Sequence, residues 1–443
     1  MMKPNILFFY PDQHRYDWTP LNRSLPLRMP NLELLMGRGV SFRRAICPSP
    51  LSAPSRACLA SGMRYPGCGV TDNGDRYPLD LPTHYQRLRD EAGYHVIACG
   101  KFDLNKPEGN WGIDGKNDVH EWGFSDGINS AGKYDAVNMS AGEPDEVIAG
   151  HAEPGDPYMA YLYEQGLAKA HIEDLRHRGH STDPTPLPDH AYSDNFIGRH
   201  AVRLLREAPR NRPWYLTVNF TGPHNPWDVT ESMWNRWRGV DFSQPVASTK
   251  LTPEHHVGIR RNYAAMVENI DRWIGLILME VARRDETNRT LVVYSSDHGE
   301  MLGDHDRFGK SVPWQPSVGV PLVVAGPGVD AGRTTHAPAE NSDLAATFLE
   351  TASLEPGEDV DSCGLWPVLT GQVDANRDVV VSALRGWRVI IDRNLKLVHT
   401  DEDECRLYDL DQDPAEQRDL APEHPGEVRR LRDRLDRELG APG

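Results

Sequence analysis

Several things are scarce in this sequence. No apolar run approaches the roughly 18 residues that a membrane-crossing helix needs; the longest near the start, Ile6–Tyr10, runs straight into Pro11, Asp12 and Arg15. No membrane span is therefore expected, and no signal peptide is read at the N-terminus, which leaves the compartment open. Cysteine is sparse, six in 443 residues and never in a CxxC pair, which argues against a disulfide scaffold or a zinc ribbon; buried thiols are the expectation. Positive charge is short as well: 48 Lys+Arg stand against 65 Asp+Glu, a formal charge of −17. Such a surface repels nucleic acid and anionic lipid, so neither is expected as a partner. Any anionic ligand must meet a local cluster of cations or a metal ion. Internal repeats and low-complexity tracts are missing too, which excludes solenoids and disordered linkers.

What is present is a globular composition, 39% hydrophobic and 26% charged, with length for two or three units at about 150 residues each. Short apolar runs at Asn5–Tyr10, His95–Cys99, Trp214–Phe220, Thr290–Ser295 and Pro321–Ala325 read as buried strands. Between them, Val257–Arg284 carries apolar residues three and four apart, an amphipathic helix. This alternation predicts an α/β fold with a mixed sheet sandwiched by helices. From about Asp374 the pattern changes to short strands at Val379–Leu384, Trp387–Ile391, Leu395–Val398 and Arg406–Leu410, then a charged helix, Gly426–Leu439. A small antiparallel subdomain over 371–443, following a main unit over 1–370, is expected. The stretch Asn105–Pro184, rich in Gly, Asp, Asn and His, reads as an aperiodic insertion that shapes a substrate pocket.

Polar groups collect where strands end, which is where open α/β sheets keep their ligands. Asp12-Gln13 follows the first strand and Ser296-Asp297-His298-Gly299 follows the fourth. Two such strand ends suit one oxygen-preferring divalent ion, Ca²⁺ first, with Mg²⁺ or Mn²⁺ as alternatives. Ser52-Ala53-Pro54-Ser55-Arg56 and Leu59-Ala60-Ser61-Gly62 open a helical pattern in which a serine could be no more than a cap.

That stretch nevertheless resembles the signature of the type I, formylglycine-dependent sulfatases of the alkaline phosphatase superfamily, in its Ser form. The resemblance extends along the chain through Gly100-Lys101, Pro223-His224-Asn225-Pro226, Asp297-His298-Gly299 with Gly309-Lys310, and Leu407-Tyr408-Asp409-Leu410. It implies the family's fold, with a catalytic domain over 1–370, and sulfuric ester hydrolysis by a hydroxyl-derived nucleophile. Ser52 would be the formylglycine precursor, matured by a formylglycine-generating enzyme. Arg56 would orient it, Lys101 and Lys310 would hold sulfate oxygens, and His224 would protonate the leaving oxygen. Asp12, Gln13, Ser52, Asp297 and His298 would ligate the metal. Asn73 would reach the sulfate or the leaving group.

Two departures are visible. Phe102-Asp103 stands where the family usually has Trp-His, and Trp314-Gln315-Pro316-Ser317-Val318-Gly319 lacks a usual Glu and Arg. Asp103 could replace the missing histidine as a base or bind a substrate hydroxyl. Arg15, Asp103, Asn105, Lys106 and Asp194, polar groups near the active strand ends, suit the hydroxyls and carboxylates of a sugar. The expected substrate is therefore a small-molecule or oligosaccharide sulfate ester. The alternatives are phosphonate monoester or phosphodiester hydrolysis, and non-catalytic binding of a sulfated glycan if Ser52 stays unmodified.

Overall fold

The computed structural model describes residues 3–138 and 154–440. Eight strands form a central sheet: β1 (Asn5–Phe9), β2 (Gly39–Ile46), β3 (His95–Gly100), β4 (Asp126–Asn129), β5 (Trp214–Asn219), β6 (Thr290–Tyr294), β7 (Leu322–Ala325) and β8 (Arg333–Glu340). Their order is β4-β3-β5-β1-β6-β7-β2-β8. Only β7 runs against the rest, so β3, β5, β1 and β6 end on the same side as neighbours.

β1 shows why the sheet is sandwiched. Leu7 and Phe9 join one apolar core while Ile6 and Phe8 join another, because successive side chains of a strand point to opposite faces. One core is roofed by the long helix Pro253–Arg283, the helix Ser193–Glu207 and the helix Pro30–Arg38; the other by Ser52–Ser61, His84–Asp90 and Asp343–Thr351. The long helix starts at Thr252, whose side chain accepts from the His255 amide, satisfying one of the free donors of the first turn.

A second sheet, in the order β12-β11-β10-β9, is antiparallel throughout: β9 (Val379–Leu384), β10 (Trp387–Asp392), β11 (Leu395–Thr400) and β12 (Cys405–Asp409). The C-terminal helix Pro425–Leu439 buries Leu431 and Leu435 against it. The anticipated α/β sandwich with a smaller antiparallel sheet is thus what the chain forms. All six cysteines are unpaired thiols, and four of them are buried. No helix of the described residues is long and apolar enough to cross a membrane.

One expectation needs correction. The stretch Asn105–Pro184 is not an aperiodic insertion: it supplies the edge strand β4 and helices at Lys133–Asn138, Pro157–Glu164 and Ala168–Arg178, although residues 139–153 lie outside the described part. Its many glycines obscured elements of only four to eleven residues.

Candidate active site

The four neighbouring strand ends bring distant parts of the chain together. Asp12 follows β1, Lys101 follows β3, His224 lies past β5, and Asp297-His298 lies past β6. Ser52, reached through the turn after β2, is the first residue of the helix Ser52–Ser61, where free backbone N–H groups favour a developing negative charge. Its Oγ lies 3.0 Å from Nε2 of His298. The helix is fastened in place: Ser55 Oγ donates to the Asp297 carbonyl at 2.6 Å, and Arg56 pairs with the Asp297 carboxylate at 2.9 Å while donating to the Lys101 carbonyl at 2.7 Å.

Asp12, Asp297 and His298 are fully buried and offer one ligand atom each within 4.8 Å of one another. Asp12 Oδ1 has no hydrogen-bond partner, which is costly for a buried carboxylate unless a cation completes it. Two carboxylates with one imidazole fit a divalent ion. Burial pulls the His298 imidazole down to about 4, so it is neutral and able to ligate. Burial would raise the Asp12 carboxyl, but the charges of Lys101, Arg56 and Lys310 outweigh it and hold that group well below the usual range.

Lys101 is ion-paired with Asp12 and, at 3.0 Å, with Asp103. Gly100 makes this placement workable: its φ is +103°, and a Cβ there would stand 2.1 Å from the Asn219 carbonyl oxygen. Lys310 donates from Nζ to Gln13 Oε1 at 2.7 Å and to His224 Nε2 at 2.7 Å. His224 is therefore neutral at Nε2, and burial followed by the charge of Lys310 drives its pKa well below the ordinary value. Asn73 accepts at 3.1 Å from the Ala53 amide beside Ser52.

Two expected contributors behave differently. Arg15 is withdrawn from the site, a correction with a clear cause: Asp17 and Asp304, both 2.6 Å away, and the Met301 carbonyl occupy its buried guanidinium, as befits a charge sealed from water. Asp103 is buried between Lys101 and Lys106; burial would raise its carboxyl, yet these ammonium groups hold it low. Gln13 turns its carbonyl oxygen to Lys310 and its amide to Asn225 and Glu300. Of the other residues taken for sugar contacts, Asp194 instead caps the Thr221 and Gly222 amides.

Residues passed over in the sequence also matter. Glu300 gathers Gln13 and the amides of Leu302 and Gly309, and burial raises its carboxyl to about 7; its position two past His298 was the available signal. Lys133, buried, pairs with Asp228 at 2.6 Å and donates to the carbonyls of His224 at 3.0 Å and Pro226 at 3.2 Å. Nothing local to Lys133 in the sequence announced that reach.

A sulfatase family model matches residues 4–354, spanning all of the strand ends just described. The chain belongs to the sulfatase family. A model of the C-terminal part of N-sulphoglucosamine sulphohydrolase matches residues 303–441. A choline-sulfatase of Rhizobium meliloti is 26% identical over 96% of this chain and 84% of its own length. An N-acetylglucosamine-6-O-sulfatase of Bacteroides thetaiotaomicron is 25% identical over 94% and 82%. In fold, the sulfatase is similar to a phosphonate monoester hydrolase of Agrobacterium radiobacter, with a TM-score of 0.81 at 22% identity over 98% and 95% of the two chains. The protein is accordingly a sulfatase enzyme, a hydrolase of sulfate esters.

Proposed function

We propose that this sulfatase removes O-sulfate from a carbohydrate, using Ser52 after its oxidation to formylglycine and one Ca²⁺ ion held by Asp12, Asp297 and His298 together with the oxygen at position 52. The observation that carries the reading is the convergence of Ser52 Oγ, three buried ligand groups and the pair Lys310–His224 at the ends of adjacent strands. A bound divalent cation supplies positive charge that acidifies a hydroxyl and draws electron density from sulfate. Hydrated formylglycine supplies two hydroxyls on one carbon, one to attack and one through which sulfate is later expelled.

The chain's own residues do the rest. Lys101 and Lys310 bind the non-bridging oxygens, whose charge changes along the reaction. Arg56 keeps Asp297 aimed at position 52 and offsets its charge. His224 carries the proton for the departing alkoxide, with Lys310 as the neighbouring donor to Nε2. Asn73 offers its amide to sulfate from beside the helix start. Asp103, ionised and buried against Lys101, holds that ammonium charged and in place. The relative named for N-acetylglucosamine 6-O-sulfate supports a sugar as the leaving group.

A second reading, phosphonate monoester or phosphodiester hydrolysis on the same groups, draws on Gln13 beside Asp12 and on His298. Turnover of sulfated sugars, an aryl sulfate and a phosphodiester, measured side by side, tests both. Sugar sulfates are expected to lead, and turnover of the phosphorus ester alone would overturn the proposal. Intact mass of the Ser52 peptide, from a host that matures serine-type sites, is expected to be lighter by a hydrogen pair; unmodified serine would leave a sulfated-glycan binder.

A further inference from the structure

A cavity of about 800 Å³ shares no lining residue with the active site. It runs along β8, the last strand of the large sheet, and is closed by the start of β9, the turn between β10 and β11, and the C-terminal helix. Seven arginines line it against three aspartates, on a protein whose overall charge is −17. The arrangement is ordered. Arg430, Arg434 and Arg437 recur four and three residues apart, which places them on one face of the helix, while Leu431 and Leu435 anchor that helix in the small core.

Arg393 sits in the turn after β10 with φ +53°, a left-handed conformation that favours Gly or Asn, so the charge is held there against backbone preference. Acidic partners offset five of the seven: Arg430 lies 2.6 Å from Asp392, Arg434 2.7 Å from Glu438, and Arg377 3.1 Å from Glu340 and against Asp343. Arg44 and Arg333 are paired more loosely, at 3.4 and 3.5 Å. Arg393 and Arg437, both exposed, have no ion pair among the described residues.

We propose that this cleft is a second, non-catalytic binding site for a sulfated polysaccharide chain. Guanidinium is weakly hydrated and presents forked donors to tetraoxo anions. Arginines spread over strand, turn and helix suit several sulfates along a chain better than one compact anion. Thr334, Thr335 and His336 add polar groups for sugar hydroxyls, and the volume admits a short run of sugars. Because the surrounding surface repels polyanions, the cleft gives a polymeric substrate a place to dock and raises the concentration of its sulfate groups near the enzyme. The proposal rests on the functional reading above only for the class of ligand, since binding is measured apart from hydrolysis.

The test compares the full chain with Arg393→Glu/Arg437→Glu, and with the milder Arg393→Gln/Arg437→Gln in case charge reversal disturbs folding. Calorimetry with a heparin octasaccharide and its desulfated counterpart reports binding; aryl sulfate turnover reports the active site. The full chain is expected to bind the sulfated octasaccharide and not the desulfated one. The charge reversal is expected to weaken binding by about tenfold or more and to leave aryl sulfate turnover unchanged. Binding by both variants as tight as that of the full chain would overturn the proposal. So would equally tight binding of a single-stranded oligonucleotide, or a change in oligomeric state showing that a second copy of the chain occupies the cleft.

Discussion

Lys310 is where burial and neighbouring charge bear most directly on activity. Burial depresses its pKa to about 8, with Lys101 adding to the effect and Asp12 opposing it. In its proposed role of holding sulfate oxygens the working form is the protonated one, present below about 8 and lost above it. kcat/KM on an aryl sulfate is therefore expected to fall as pH rises through about 8, approaching tenfold per unit. In Lys310→Arg the charge persists and this alkaline limb should vanish even if the absolute rate drops; a limb that stays would assign the fall to another group. His224 gives a separate signature. His224→Ala should lose about 10²–10⁴-fold on a sugar sulfate, whose leaving alkoxide needs a proton, and far less on an activated aryl sulfate. Rates across a leaving-group series check this. Asp12, His224 and Asp297 could be picked out in the sequence because each follows an apolar strand run. Arg15 looked equivalent, three residues beyond Asp12, but Asp304, 289 residues further on, claims its charge.

Among the elements of the large sheet, strands buried on both faces were legible and the others were not. Asn5–Phe9, Trp214–Asn219 and Thr290–Tyr294 are buried at every position, so their sequences are continuous apolar runs. β4 and β8, which went unread, are the two outer strands of the sheet. One is only four residues long and the other, RTTHAPAE, exposes alternate positions. β2 was missed because Arg43 and Arg44 interrupt its apolar pattern. Two predictions belong to this scale. Gly100→Ala should displace Lys101 and cut kcat strongly, since its methyl group would meet the Asn219 carbonyl; circular dichroism and turnover together separate this from unfolding. Lys133→Met leaves Asp228 buried without its partner and should destabilise the protein by about 3–5 kcal/mol, measured by urea unfolding. It should also lower turnover of sugar sulfates more than of aryl sulfates, because Lys133 holds the carbonyls on either side of the His224 loop.

For the whole molecule, charge balance decides what the site can take. Asp12, Asp103 and Asp297 sit among Arg56, Lys101 and Lys310, so the cluster is close to neutral by itself and becomes attractive to sulfate when a divalent cation joins it. Chelation should therefore lower the melting temperature as well as activity, and Ca²⁺ should raise the melting temperature with concentration, as for any ligand bound only by the folded state. Differential scanning fluorimetry of the wild type and Asp297→Asn checks this, with the calcium response lost in the variant. The sequence by itself determined the layered α/β class, the small C-terminal sheet and most of the candidate site residues, because apolar periodicity and motif spacing are local properties of a chain. Only the tertiary structure decided which of those groups meet, since the strand order is not the chain order. It alone turned Arg15 inward, bound Asp103 to Lys101, brought Lys133 under the His224 loop and lined an arginine cleft from strands, a turn and a helix. Coulombic and steric contacts between residues hundreds of positions apart leave no trace in local pattern.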